Sequence, residues 1–259
     1  MNNLKEKIKN RSKTIGTHIN LRDVAVARIA GLAGYDFIWI DLEHSYLSLD
    51  DLFAHVLAIR STGTPVIVRV PQDDLTYTKK VIEMGVDGII FPMIRSAEQA
   101  NKLIAATLYP PYGNRGFGPM GAVDFGFNDA REYTHDTVDH LCRFIQIEHV
   151  DAVNDLEEII KNEYIDGYIF GPNDLSGSIN EICDVFEKGT TELIKKTVSV
   201  LKKADKYIGL STGDTSEKVF EHWRSMGIDM LSAASDFGIL QSGFSENRKR
   251  LESVCKSVK

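Results

Sequence analysis

Short runs of β-branched and other apolar residues alternate along this chain with longer stretches of helical period. That is the pattern of βα units around a parallel sheet. The spacing predicts strands near 14–19, 36–41, 65–70, 87–92, 142–148, 166–171, 207–211 and 228–232. Asp23 to Ala33, Leu49 to Ser61, Tyr77 to Met84 and Ala97 to Leu108 read as amphipathic helices between them. Eight such units suit a (β/α)8 barrel, an α/β fold in which the C-terminal ends of the strands share one rim and active sites sit on it. An open doubly wound sheet is disfavoured, because Gly16-Thr17-His18-Ile19-Asn20-Leu21 is no GxGxxG turn.

Two stretches break the rhythm. Tyr109 to Asp129 holds Pro110, Pro111, Gly113, Gly116, Gly118, Pro119 and Gly121. A loop of that length in a compact domain is usually functional or disordered, and it is read here as a cover over the site. The second, Asn173 to Asp184, follows the sixth strand and carries Gly177 and Asn180. No linker or solenoid repeat interrupts the rest, and 259 residues at 43% hydrophobic suit a single domain spanning 1–259.

Composition narrows the partners. A formal net charge of −7, with lysines scattered among acids, leaves no electrostatic footprint for nucleic acid or an anionic membrane, so a small-molecule substrate is expected. Cys142, Cys183 and Cys255 are odd in number and far apart, which suggests neither a disulfide framework nor a thiolate metal site and favours a reducing cytoplasm. Met1 to Lys13 is polar and lysine-rich with no apolar signal region, and no apolar run approaches the length of a membrane span.

Four apolar strands end in polar residues. Phe37-Ile38-Trp39-Ile40 runs into Asp41, Glu43 and His44, the third strand carries Arg69, the fifth ends at Glu148, and Asp174 follows the sixth. If the barrel closes, these groups converge on the rim. Glu148 and Asp174 form a hard oxygen pair suited to Mg²⁺ or Mn²⁺, ions that keep water and take further oxygens from substrate. The bland alternatives are a salt bridge from Glu148 to a neighbouring helix and an N-cap role for Asp174. His149 points away if Glu148 faces inward.

His44 is the natural general base, with Asp41 as the carboxylate that would orient it. Side chains alternate on a strand, so this dyad needs the chain to turn just after Asp41; otherwise His44 is a solvated loop residue. His18 ends the first strand and lines the site, whereas His55, His135, His140, His149 and His222 are read as structural or surface residues. Arg69, inside an apolar strand, needs an anionic partner, either a substrate oxygen or a barrel acid such as Glu43 or Glu83. Gly171, Pro172 and Asn173 are placed to offer backbone groups to a substrate carboxylate, with Ser176 and Ser178 capping a short helix. Arg115 is read as a solvated loop residue.

Six segments carry a resemblance. GLAGYDFIWIDLEH (31–44), VRVP (68–71), EQA (98–100), YPPYGNRG (109–116), QIE (146–148) and GPNDLSGS (171–178) are similar, in that order, to the HpcH/HpaI family of metal-dependent pyruvate aldolases. The similarity spans roughly residues 14 to 240. It implies a (β/α)8 barrel, assembled as a hexamer of three dimers with the C-terminal helix exchanged between partners. It also implies a divalent metal (Mg²⁺, Mn²⁺ or Co²⁺) held by Glu148 and Asp174, with Gln146 supporting the ligands. Arg69 would contact the keto or enolate oxygen, and His44 paired with Asp41 would be the base. Gly171, Pro172, Asn173 and Ser211 would meet the substrate, and Glu83 falls where an aspartate near a subunit contact is frequent. Asn173, Asn180 and the segment Gly209 to Gly213 depart from the family pattern, which bears on the substrate wall rather than on the metal or base.

The reaction so implied is reversible aldol cleavage of a 4-hydroxy-2-oxo acid to pyruvate and an aldehyde. Two other readings stand beside it. A citryl or malyl thioester lyase would need basic residues for coenzyme A, which the acidic balance disfavours, and a keto-acid-binding barrel without turnover is opposed by the presence of both Asp41 and His44.

Overall fold

The apolar runs pair side by side in chain order until the eighth strand meets the first. In the computed structural model, which describes residues 3–72 and 74–257, the closed parallel barrel comprises β1 (Thr14–Ile19), β2 (Phe37–Asp41), β3 (Val66–Arg69), β4 (Gly88–Phe91), β5 (Cys142–Ile147), β6 (Gly167–Phe170), β7 (Ile208–Thr212) and β8 (Met230–Ser235). Around and between them lie α1 (Asn3–Lys9), α2 (Val24–Leu32), α3 (Leu49–Arg60), α4 (Leu75–Glu83), α5 (Ala97–Ala105), α6 (Ala130–His135) and α7 (Thr137–His140). The second half adds α8 (Val150–Asn154), α9 (Leu156–Ile159), α10 (Pro172–Gly177), α11 (Lys188–Lys203), α12 (Glu217–Ser225) and α13 (Asp236–Ser257).

Strand alternation divides the core into two apolar sets. Ile38, Ile40, Val66, Val68, Ile89 and Ile145 point outward and pack against the helices. Phe37, Trp39, Ile67, Ile90, Phe144, Ile169 and Met230 fill the barrel. The inward row continues upward from these residues into polar ones. Asp41 follows Trp39, Arg69 follows Ile67, and Gln146 and Glu148 follow Phe144.

The expected boundaries differ in two instructive places. Helix α4 begins at Leu75 rather than Tyr77, because Asp74 caps it, its Oδ1 accepting from the Thr76 and Tyr77 amides at 2.7 and 3.2 Å. β8 runs on to Ser235, since its pairing with β1 resumes at His18 and Ser235 past an irregularity after Gly16.

The polar opening stretch has a structural task. Met1 and Asn2 lie outside the described residues, but Leu4 and Ile8 of α1 join the barrel-interior cluster and plug its N-terminal end. Lys5 beside them is buried, donating to the Val138 and Leu141 carbonyls at 2.6 and 3.0 Å and pairing with Asp166 at 2.9 Å. Its charge is therefore matched where it is desolvated.

The long loop does not cover the rim of its own barrel, contrary to the sequence-based expectation. It follows α5, which returns the chain to the N-terminal end, and packs outside on α3 and α4. Phe125 meets Phe53 at 6.2 Å between ring centroids, and Gly121 abuts the C-terminal end of α4 at Glu83 and Met84. Arg115 is likewise not solvated: it is buried, donates to Glu83 at 2.9 Å and to the Tyr133 hydroxyl at 3.1 Å, and lies 4.5 Å from the Tyr109 ring centroid. This pairing also removes Glu83 from reach of Arg69.

Candidate active site

The site grows from the inward row at the C-terminal ends of β2, β3 and β5. Parallel pairing sets Asp41 beside Arg69 in register. Arg69 donates Nε to Asp41 Oδ1 at 2.9 Å and Nη2 to Oδ2 at 2.6 Å, a bidentate pair between two largely buried side chains. Its Nη1 lies 2.8 Å from Glu43 Oε2 and donates to Gln146 Oε1 at 3.3 Å. Burial raises the Asp41 carboxyl, and Arg69 more than offsets this, holding it below the usual carboxylate range.

Gln146 links this cluster to the next acid. Its amide nitrogen donates to Glu148 Oε2 at 2.9 Å, while Oε1 of Glu148 accepts the Met93 amide at 2.7 Å. Met93 adopts φ 53°, a left-handed conformation unusual outside glycine, in the turn that presents this N–H. Glu148 is 1% exposed. Burial, joined by the Glu43 and Asp174 charges and opposed by the Met93 amide and Arg69, pushes its carboxyl up to about 8. A Cβ added at Gly171 would fall 2.2 Å from Glu148 Oε2, so only glycine leaves room for this carboxylate.

Asp174 stands in the first turn of α10, exposed, its carboxylate making no hydrogen bond or ion pair among the described residues. It is not the N-cap of that helix, a place taken by Gly171. No group of three His, Cys, Asp or Glu side chains forms a ready-made cage among the described residues. The donor set is thus one buried carboxylate, seated against Gly171 and repelled by neighbouring acids, and one open carboxylate. These donors fit a hard divalent cation that completes its shell with water and substrate oxygens.

The Asp41 and His44 side chains do not come together. The chain does bend after Asp41, but Leu42 turns into the outer core and Glu43 inward, leaving the His44 side chain 64% exposed with Nε2 3.7 Å from Glu43 Oε2. Asp41 instead receives the Glu43 amide at 3.0 Å as well as Arg69. The guanidinium, fixed by strand register, outcompetes an imidazole on a loop.

Residues expected at the substrate wall cluster beside Asp174. Pro172, Asn173 and Ser211 line a cavity of about 190 Å³ with Thr212, Phe186 and Trp223. Pro172 has no N–H to offer, and Asn173 is exposed, its carbonyl accepting the Ser176 hydroxyl at 2.7 Å. Ser178 is turned away to receive the Val150 amide at 3.1 Å. His18 lies inside the barrel, 4.9 Å from Trp39 between ring centroids, with Nε2 3.1 Å from Ser211 Oγ. Sequence reasoning missed Met93, whose part rests on backbone geometry alone.

The model of the family described as HpcH/HpaI aldolase/citrate lyase matches residues 14–238. A 2-keto-3-deoxy-L-rhamnonate aldolase from Escherichia coli (strain K12) is 30% identical over 208 residues, covering 80% of this chain and 78% of that one. A hydroxypyruvate/pyruvate aldolase from Agrobacterium fabrum is 30% identical over 222 residues, or 86% and 83% of the two chains. An HpcH/HpaI aldolase structure from Desulfitobacterium hafniense DCB-2 superposes with a TM-score of 0.88 at 28% identity, covering 96% of each chain.

Proposed function

Because the chain belongs to the HpcH/HpaI aldolase/citrate lyase family, we propose that it is a carbon–carbon lyase that reversibly cleaves a 4-hydroxy-2-oxo acid of the 2-keto-3-deoxy sugar acid type to pyruvate and an aldehyde. The observation that carries this reading is the linked row Asp41, Arg69, Gln146 and Glu148 on one rim, with Asp174 open beside it. The aldolase names of two relatives, each 30% identical, support the reaction class.

Glu148 and Asp174 would hold a divalent cation, Mg²⁺, Mn²⁺ or Co²⁺. Such an ion supplies Lewis-acid polarisation of the 2-oxo group. The remaining roles belong to side chains. Gln146 fixes the rotamer of Glu148 and joins it to Arg69. Arg69, itself held by Asp41, points positive charge at the oxygen where enolate charge develops, an effect worth about 2–4 kcal/mol for one such donor. His44 takes the proton from the 4-hydroxyl as the carbon–carbon bond breaks, and Glu43, not Asp41, is the acid nearest to its ring. In the reverse direction the same imidazole returns that proton to the new alkoxide.

A second copy of the chain is part of this reading. Helix α13 leaves Phe237, Ile239, Leu240 and Phe244 exposed, an apolar surface that suits packing against a partner barrel in a homo-oligomer. Among the described residues no helix is long and apolar enough to cross a membrane.

Pyruvate release from a panel of 2-keto-3-deoxy sugar acids, coupled to lactate dehydrogenase in the presence of Mn²⁺, tests the assignment. Metal-dependent pyruvate formation from at least one member is expected. No pyruvate from any member would overturn it.

A further inference from the structure

A further concavity lies outside the barrel, between α4, the C-terminal end of α5 and the long loop, and shares no lining residue with the candidate active site. Its volume is about 500 Å³, within the range of small-molecule sites. Its charge is opposite to that of the chain. Against a formal net charge of −7 overall, α4 contributes Lys79 and Lys80 to the lining, the long loop contributes Arg115, and no carboxylate of the described residues joins them. The nearby acids are engaged elsewhere. Asp74 caps α4 through the Thr76 and Tyr77 amides, and Glu83 accepts from Arg115 Nη2 at 2.9 Å.

Lys79 and Lys80 are exposed and make no hydrogen bond or ion pair among the described residues. A Cβ added at Gly116 would fall 3.3 Å from Lys79 Nζ, so this ammonium group is held beside the loop backbone. The Gly116 N–H has no acceptor among the described residues, and the Asn114 side chain is equally unengaged. Arg115 forms the buried part of the wall, and its Nε is a donor without a partner. Unmatched donors and like charges on one concave wall are a cost that a bound anion removes.

The donors present choose among anions. A planar carboxylate is matched by a guanidinium fork, and the fork of Arg115 is already committed to Glu83 and the Tyr133 hydroxyl. What remains is two ammonium point charges with neutral N–H donors, which suit the tetrahedral oxygens of a phosphate dianion. Leu75 and Ala106 make part of the wall apolar, the Thr76 hydroxyl offers a partner to a polyol, and the lining has no aromatic face on which a nucleobase could stack. We propose that this groove binds the phosphate monoester of a small, non-nucleotide metabolite, its phosphate on Lys79 and Lys80 and its carbon chain along Leu75 and Ala106.

Titration calorimetry of the Mg²⁺-loaded protein with glycerol 3-phosphate tests the site. Saturable binding is expected in the wild type. Lys79→Ala and Lys80→Ala should each weaken it about tenfold, as the loss of one hydrogen bond to a charged group does. Lys196→Ala, which removes an exposed lysine from α11, should leave it unchanged. No saturable binding by the wild type overturns the inference. So does binding by Lys79→Ala or Lys80→Ala as tight as that by Lys196→Ala, because the ligand then sits elsewhere. Two further titrations fix the class of ligand. Inorganic phosphate bound as tightly as the ester would show that the carbon chain is not recognised and overturn the ester assignment, and succinate bound as tightly would overturn the choice of phosphate over carboxylate.

Discussion

Arg69 grips Asp41 along both carboxylate oxygens, at 2.9 and 2.6 Å, across neighbouring strands in register. Asp41 is 3% exposed and Arg69 is half-buried. Removing Asp41 takes two hydrogen bonds from a desolvated guanidinium and leaves it only Glu43 and Gln146. Asp41→Ala should therefore destabilise the fold by about 3–5 kcal/mol, measured by urea unfolding at neutral pH. A change below about 1 kcal/mol would show that the pair behaves as an exposed one.

The same grip leaves His44 without the Asp41 partner expected of it. If its imidazole moves the substrate proton unaided by that carboxylate, His44→Ala should still lower kcat by about 10²- to 10⁴-fold. Mn²⁺ affinity, followed by titration calorimetry, should not change, because the ring contacts Glu43 rather than either proposed ligand. An unchanged kcat would remove His44 from its role.

Much of this arrangement is legible in the sequence because strand alternation is a strong rule. Once the strands are placed, Asp41, Arg69, Gln146 and Glu148 must share the barrel interior. What alternation does not decide is which inward group pairs with which. The contest between Arg69 and His44 for Asp41 depends on the register of β2 against β3, a long-range property. The long loop is legible as irregular from its prolines and glycines, but its position at the N-terminal end follows only from its place after a helix. Likewise the Leu4 and Ile8 spacing is the one sign that the lysine-rich opening stretch plugs the barrel.

Gly171 offers a clean steric probe. Its φ is −105°, a conformation open to any residue, so alanine there acts only through its added carbon, which would sit 2.2 Å from Glu148 Oε2. Displacing the carboxylate should weaken Mn²⁺ binding by about 10- to 100-fold, as other disturbances around a metal ligand do. Unaltered affinity would mean that Glu148 is not a ligand.

The described residues put no lysine into the row of polar side chains on the rim, and the buried Lys5 lies at the opposite end of the barrel, paired with Asp166. Activity should accordingly be lost with EDTA and regained with Mn²⁺. Borohydride added with pyruvate should leave the enzyme active. Irreversible inactivation by that pair would indicate a Schiff base and exclude the proposed mechanism.

His18 gives the fold a pH dependence of predictable sign. Burial lowers its pKa from 6.5, and Arg69 adds to this, while the Ala234 carbonyl, Asp41 and Asp236 work in the opposite direction. The unfolded chain therefore binds a proton near pH 6.5 that the folded chain refuses. The contribution is fully present above that pH and declines as the pH falls toward the folded value, by at most about 1.4 kcal/mol per pH unit. His55 is lowered by burial too and shares the wild-type slope, so the informative quantity is the difference from His18→Gln. Urea unfolding between pH 7.5 and 5.5 should give a shallower dependence for the variant. Parallel curves for the two proteins would show that His18 takes up its proton equally in both states and that burial does not depress its pKa.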